Sequence, residues 1–169
     1  MMHNLSKYLL LTTIAILTLG CEKDSKHDKY FNPNDISKIE LESIDDFWEN
    51  DTILNSSDGM FDNYSGYLDG ISHRGEDRGN SISVFETGQM AHDAMESRIA
   101  DVACVIENGA TNEIEGEWWF GDCIPNIVFV KQWNTIIEVY YYESDFESIE
   151  NLLYTTANEI ARRVDNLSK

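Results

Sequence analysis

Glu115 and Glu117 flank the pair Trp118 and Trp119, and acids beside a tryptophan platform are the materials of a sugar-binding or sugar-cleaving site. Cleavage needs two carboxyl groups roughly 5 to 9 Å apart, one of them kept protonated by burial, and sequence fixes neither condition. Binding needs less, an accessible indole face and a few polar groups. On an alternating strand Glu115, Glu117 and Trp119 share one face, while Trp118 and Phe120 take the other. At least one tryptophan is therefore expected in the core, and Trp119 with its two acids is the contact that a ligand of this kind would use. The histidines form no ligand set: His3 and His27 lie near the N-terminus, His73 in a loop and His92 on the exposed side of a helix. Asp58 to Asp69 offer oxygen atoms without the spacing of a helix-loop-helix calcium site and read as a solvated acidic loop. The sequence has no nucleophile elbow, phosphate-cradling glycine loop, dinucleotide fingerprint or H-E-x-x-H helix. No catalytic residue, cofactor or metal is expected, and the chain reads as non-enzymatic.

Charge narrows the partners. The 169 residues carry 31 acids against 12 Lys and Arg, a formal charge of −19, which excludes the basic stripe that a phosphate backbone requires. No nucleic acid is expected. A hydrophobic fraction of 42% with 11% aromatics is too high for a disordered acidic tail, so a folded core is. Ten acids and only Lys38 fall between Asp35 and Gly70, which concentrates the negative charge in the N-terminal half.

Residues 1–20 stand apart from that core. One cation, Lys7, precedes an apolar run from Tyr8 to Leu19, the pattern of an export signal too short to span a bilayer. Gly20 and Cys21 follow Leu17-Thr18-Leu19, and this resembles the lipobox of bacterial lipoproteins, with Thr18 where leucine is commonest. The resemblance implies cleavage before Cys21, its lipidation, and anchoring of the mature chain to membrane. Glu22 stands where an inner-membrane retention signal carries Asp, so the outer membrane is favoured over the inner. With Cys21 acylated, Cys104 and Cys123 remain as a pair in an oxidising compartment, and a disulfide is expected between them. Two buried free thiols are the alternative. A bond closing this loop would contribute roughly 3 kcal/mol through the unfolded chain's entropy.

Residues 21–34 are polar and end at Pro33 between two asparagines, the composition of a mobile spacer. A single domain is expected over 35–169. Asp35 to Asn50 has apolar residues at helical spacings, and the glycine-rich stretch from Asp51 to Asn80 suggests turns with short strands near Tyr64 to Ile71. Ser81 to Glu86 alternates like a half-buried strand, and Met90 to Val102 marks one face of a helix. A turn is expected at Glu107-Asn108-Gly109, then a strand over 114–121. Two β-branched and aromatic runs, Asn126 to Trp133 and Ile136 to Glu143, read as a hairpin turning at Asn134-Thr135. Ser144-Asp145-Phe146-Glu147 is a capping box for a final helix with a stripe from Ile149 to Leu167. The order predicts an α+β two-layer sandwich, a mainly antiparallel sheet with helices on one face.

The strand-helix and hairpin-helix arrangement resembles uncharacterised bacterial lipoprotein domains, which carry over no functional residues. Three functions fit this reading. The first is a lipid-anchored envelope module that binds or scaffolds another envelope protein. A glycan or small-molecule binder using Trp118, Trp119 and their acids is the second, and a hydrolase with dispersed carboxylates or His73 and His92 the third.

Overall fold

The two apolar runs around Trp133 form the centre of the fold. In a computed structural model, residues 29–49, 51–101, 105–110, 116–122, 125–143 and 146–169 are described. Strands β1 (Asn55–Ser57), β2 (Tyr67–Arg74), β3 (Arg78–Phe85), β4 (Val105–Ala110), β5 (Glu117–Asp122), β6 (Asn126–Gln132) and β7 (Thr135–Tyr141) make one sheet. Its order is β1-β2-β3-β7-β6-β5-β4, and every neighbouring pair is antiparallel. Pro33–Ile39 and Leu41–Ser43 are 3-10 turns, followed by the four-residue helix α1 (Asp45–Trp48). Two longer helices, α2 (Gly88–Asp101) and α3 (Phe146–Leu167), complete the domain, and the α+β class is as expected.

The helices cover both faces of the sheet, whereas one face was expected. Ile82, Val84, Val128, Val130, Ile137 and Val139 point to α3 and the N-terminal turns. Their alternate neighbours Phe85, Ile127, Phe129 and Ile136 pack with Phe61 and with Ala91, Ala94 and Met95 of α2. The cause lies in the composition of β3, β6 and β7, whose residues are almost all buried on both sides. Such central strands lack the clean apolar and polar alternation of a one-sided sheet. On α3 the buried positions Ile149, Leu153, Ala157, Ile160, Ala161 and Val164 follow the expected stripe.

Four local expectations are corrected. The central hairpin turns at Trp133-Asn134, one residue early, because Thr135 already pairs with Gln132. Trp133 adopts φ 56°, a left-handed conformation usually left to glycine at this place in a two-residue hairpin. Its indole Nε1 donates to Asp165 Oδ1 at 3.0 Å, which helps hold it there. Glu107-Asn108-Gly109 is part of β4, in register with Phe120, Trp119 and Trp118, so sheet pairing overrides its turn-like composition. The segment from Asp35 is not one helix, since Glu40 takes φ 51°, ψ 57° and breaks the helical path. Finally, residues 29–34, expected within the spacer, are packed on the domain. Phe31 is completely buried, Lys29 Nζ pairs with Asp165 at 2.8 Å, and the backbones of Tyr30 and Lys169 exchange hydrogen bonds of 2.9 and 3.1 Å. Phe31 supplies the buried apolar anchor of this largely polar stretch. Ser144 and Asp145 of the capping box lie outside the described residues.

Candidate functional site

Cys21, Cys104, Cys123 and Glu115 all lie outside the described residues. Trp118 and Trp119 fall in β5, in register with Val130 and Phe129. Glu117 begins that strand with its side chain half exposed. Its carboxylate is 3.2 Å from His92 Nδ1 of α2 and 3.8 Å from Lys131 Nζ. His73 belongs to β2, four strands away from β5, a separation of about 19 Å at the usual strand spacing. His73 therefore does not join the His92 and Glu117 pair. Among the described residues no group of three or more His, Cys, Asp or Glu could hold a metal ion, and no helix is long and apolar enough to cross a membrane.

The sheet assembles a different group of residues. Directly opposed residues in antiparallel strands share a face with Cβ atoms about 5 Å apart, so the register can be read as rows across the sheet. One row on the α2 face runs Ser57, Ser72, Ser81, Glu138 and Phe129, and its register continues to Trp119 of β5. The next runs Asn55, Arg74, Gly79, Tyr140. Towards β6 these rows meet the apolar cluster of α2, whereas at β1 and β2 they form the floor of a cavity of about 240 Å³. Ser57, Met60, Ser72, Arg74, Ser81 and Tyr140 line it.

Two glycines shape this cavity. A Cβ on Gly70 would lie 2.6 Å from Gly59 Cα, so only glycine lets the turn at residues 59–61 settle against β2. That turn buries Phe61 and leaves Met60 on the cavity rim, 45% exposed. Gly79, directly opposite Tyr140, leaves room for the phenol ring to lie across it, and any Cβ there would meet that ring.

Hydrogen bonding within the floor is incomplete. Ser57 Oγ and Ser72 Oγ bond each other at 2.7 Å. Ser81 Oγ, in a residue only 2% exposed, has no partner among the described residues, nor has Ser83 Oγ one row further on. A buried hydroxyl without a partner costs about 1 to 3 kcal/mol, so a polar ligand that supplied the bond would bind with that advantage. Behind Ser81, Glu138 Oε1 is 3.8 Å from Arg98 of α2, and Oε2 has no hydrogen-bond partner among the described residues. Burial pushes the Glu138 carboxyl up to about 7 against the pull of Arg98. Burial also raises the Tyr140 phenol, with Arg74 opposing and Tyr142 and Glu138 adding to it. The floor thus offers hydroxyls that both donate and accept and one guanidinium, with the buried carboxyl of Glu138 behind it.

These groups were not the ones singled out in the sequence. Ser81 and Ser83 read there as the solvent side of a half-buried strand, and their face proves to be covered. A usable signal was Glu138 itself, the lone acid in the apolar run Ile136-Ile137-Glu138-Val139. A charged residue in a doubly covered strand must be paired, protonated or functional.

No protein-family model matches the chain, and no curated protein matches it. Among solved structures, one similar in fold is the crystal structure of a GTP binding regulator from Thermotoga maritima. It is 8% identical, with a TM-score of 0.49, over 82% of this chain and 91% of the other.

Proposed function

We propose that the protein is a lipid-anchored, non-enzymatic domain of the bacterial envelope that captures a small hydrophilic molecule in the cavity floored by β1, β2 and β3. The observation that carries this reading is Ser81, a buried hydroxyl at the wall of a cavity with no partner among the described residues. The lipobox resemblance around Cys21 supports the anchor. Two experiments test the parts separately. Ser81→Ala removes the hydroxyl and adds no bulk. In a screen of polar metabolites by protein-observed NMR, ligands are expected to shift the amides of Ser72, Ser81 and Tyr140, and Ser81→Ala should weaken them several-fold. A broad screen that perturbs none of these amides would refute the cavity as a binding site. For the anchor, labelling with a palmitate analogue is expected to mark the wild-type chain, and Cys21→Ser should lose both the label and sedimentation with membranes.

A second reading, docking on another envelope protein, is favoured by Leu54, 62% exposed, immediately before the short edge strand β1. Leu68 and Met60, 42% and 45% exposed, are two more large apolar side chains on the surface of the chain's acidic half. Crosslinking on intact cells through Leu54 separates the two readings, because only the docking reading requires a defined adduct.

A further inference from the structure

Arg74 differs from almost every other cation among the described residues. Each other described Lys and Arg, apart from Lys169, has a carboxylate oxygen within 3.8 Å. Arg74 has none among the described residues, in a chain where acids outnumber cations 31 to 12. Arg74 also lines the cavity, opposite Gly79 and one position beyond it from Tyr140, whose phenol feels its charge. A guanidinium with no carboxylate partner among the described residues, in so acidic a protein, is open to an anion that arrives from outside. One guanidinium presents a fork that fits a single carboxylate. A dianionic phosphate fits less well, because the nearby chain is rich in Asp58, Asp62 and Asp69, whose field already acts on Tyr67.

The remaining wall describes the rest of the ligand. Ser72 and Ser81 offer hydroxyls that exchange hydrogen bonds with other hydroxyls, and Ser81 lacks a partner among the described residues. The Tyr140 ring and the Met60 side chain add an apolar surface of the kind on which the C–H face of a pyranose rests. A cavity of about 240 Å³ has room for one six-membered sugar ring and is spacious for a small hydroxy acid.

We propose that the cavity binds a sugar acid, a single pyranose carrying one carboxylate. Its carboxylate sits on Arg74, its hydroxyls exchange hydrogen bonds with Ser72 and Ser81, and its C–H face lies against Tyr140 and Met60. This rests on the cavity being a ligand site. The test uses the full chain in detergent and titration calorimetry with glucuronate, galacturonate, glucose, galactose, glucose 6-phosphate and lactate. At least one uronate is expected to bind ten-fold or more tightly than its neutral parent sugar, than the sugar phosphate and than lactate. Arg74→Ala, a change at an exposed side chain, is expected to bring the uronate down to the level of the neutral sugar. Equal binding of uronate and neutral sugar, or an uronate preference that survives Arg74→Ala, would overturn the assignment while leaving the cavity a ligand site. Preference for the phosphate or for lactate would overturn it in the same way. If none of the six binds, the sugar-acid assignment fails, and the NMR screen then decides whether the cavity binds anything.

Discussion

Asn134→Ala is expected to lower the unfolding free energy by about 3 to 5 kcal/mol, read as a shift of the urea midpoint with an unchanged slope. Asn134 is 2% exposed at the central hairpin turn. Its Oδ1 accepts from the Phe31 amide at 2.8 Å, and its Nδ2 donates to the carbonyls of Phe31 at 3.1 Å and Phe85 at 2.8 Å. One side chain thus satisfies three buried backbone groups belonging to two segments distant in sequence. Alanine leaves all three without a partner, and each such orphan costs about 1 to 3 kcal/mol. Asn134→Asp is a sharper control, because a carboxylate can still accept from Phe31 but repels both carbonyls. It should destabilise nearly as much. A loss below about 1 kcal/mol in Asn134→Ala would mean that water replaces the amide and that the turn does not depend on it.

The second large effect depends on pH. In the unfolded chain Glu138 loses its proton near the ordinary value of 4.5, while in the folded state burial holds the proton until about 7. Between those values unfolding releases a proton, so rising pH favours the unfolded chain. The contribution of Glu138 is fully present below pH 4.5, is lost as pH climbs to about 7, and stays lost above it. The span corresponds to about 3 kcal/mol. Glu138→Gln keeps the shape and has no proton to lose. At pH 8 it is expected to be more stable than wild type by an amount on the order of 3 kcal/mol, and at pH 4.5 the two should nearly coincide. His73 works in the other direction, since burial lowers its pKa and its stabilising contribution is lost as pH falls. The difference between wild type and Glu138→Gln cancels that background. A gap that does not change between pH 4.5 and 8 would show that Glu138 is already ionised in the folded protein.

Elements governed by local period were readable from sequence. The stripe of α3, the β3 and α2 succession and the central hairpin all depend on residues close in the chain. What escaped the reading depends on contacts between distant segments. Glu107-Asn108-Gly109 has turn chemistry, and pairing with β5 overrules it. Phe31 has polar neighbours in sequence, yet it is buried among α3 and sheet residues and reaches the turn at Asn134 through its backbone. Asn134 itself was read as a turn former, whereas its side chain acts as a clasp. The cavity shows the same limit. Its rows exist only after β1, β2, β3 and β7 are placed in register, and no spacing along the chain relates Ser57 to Ser72, Ser81 and Glu138. The tryptophan and acid cluster was conspicuous because its members are adjacent, which says nothing about enclosure.

The bonds between Tyr30 and Lys169 decide how the domain bears a pull. If Cys21 fixes the chain to a membrane, drag on the domain reaches it through Lys29 and Tyr30. There it meets the Lys29 and Asp165 ion pair, the two backbone bonds to Lys169, and then buried Phe31 held on both sides of its peptide by Asn134. On that anchoring Lys29, Tyr30 and Phe31 carry the load one after another, so these packed residues stand between the tether and the strands that shape the cavity.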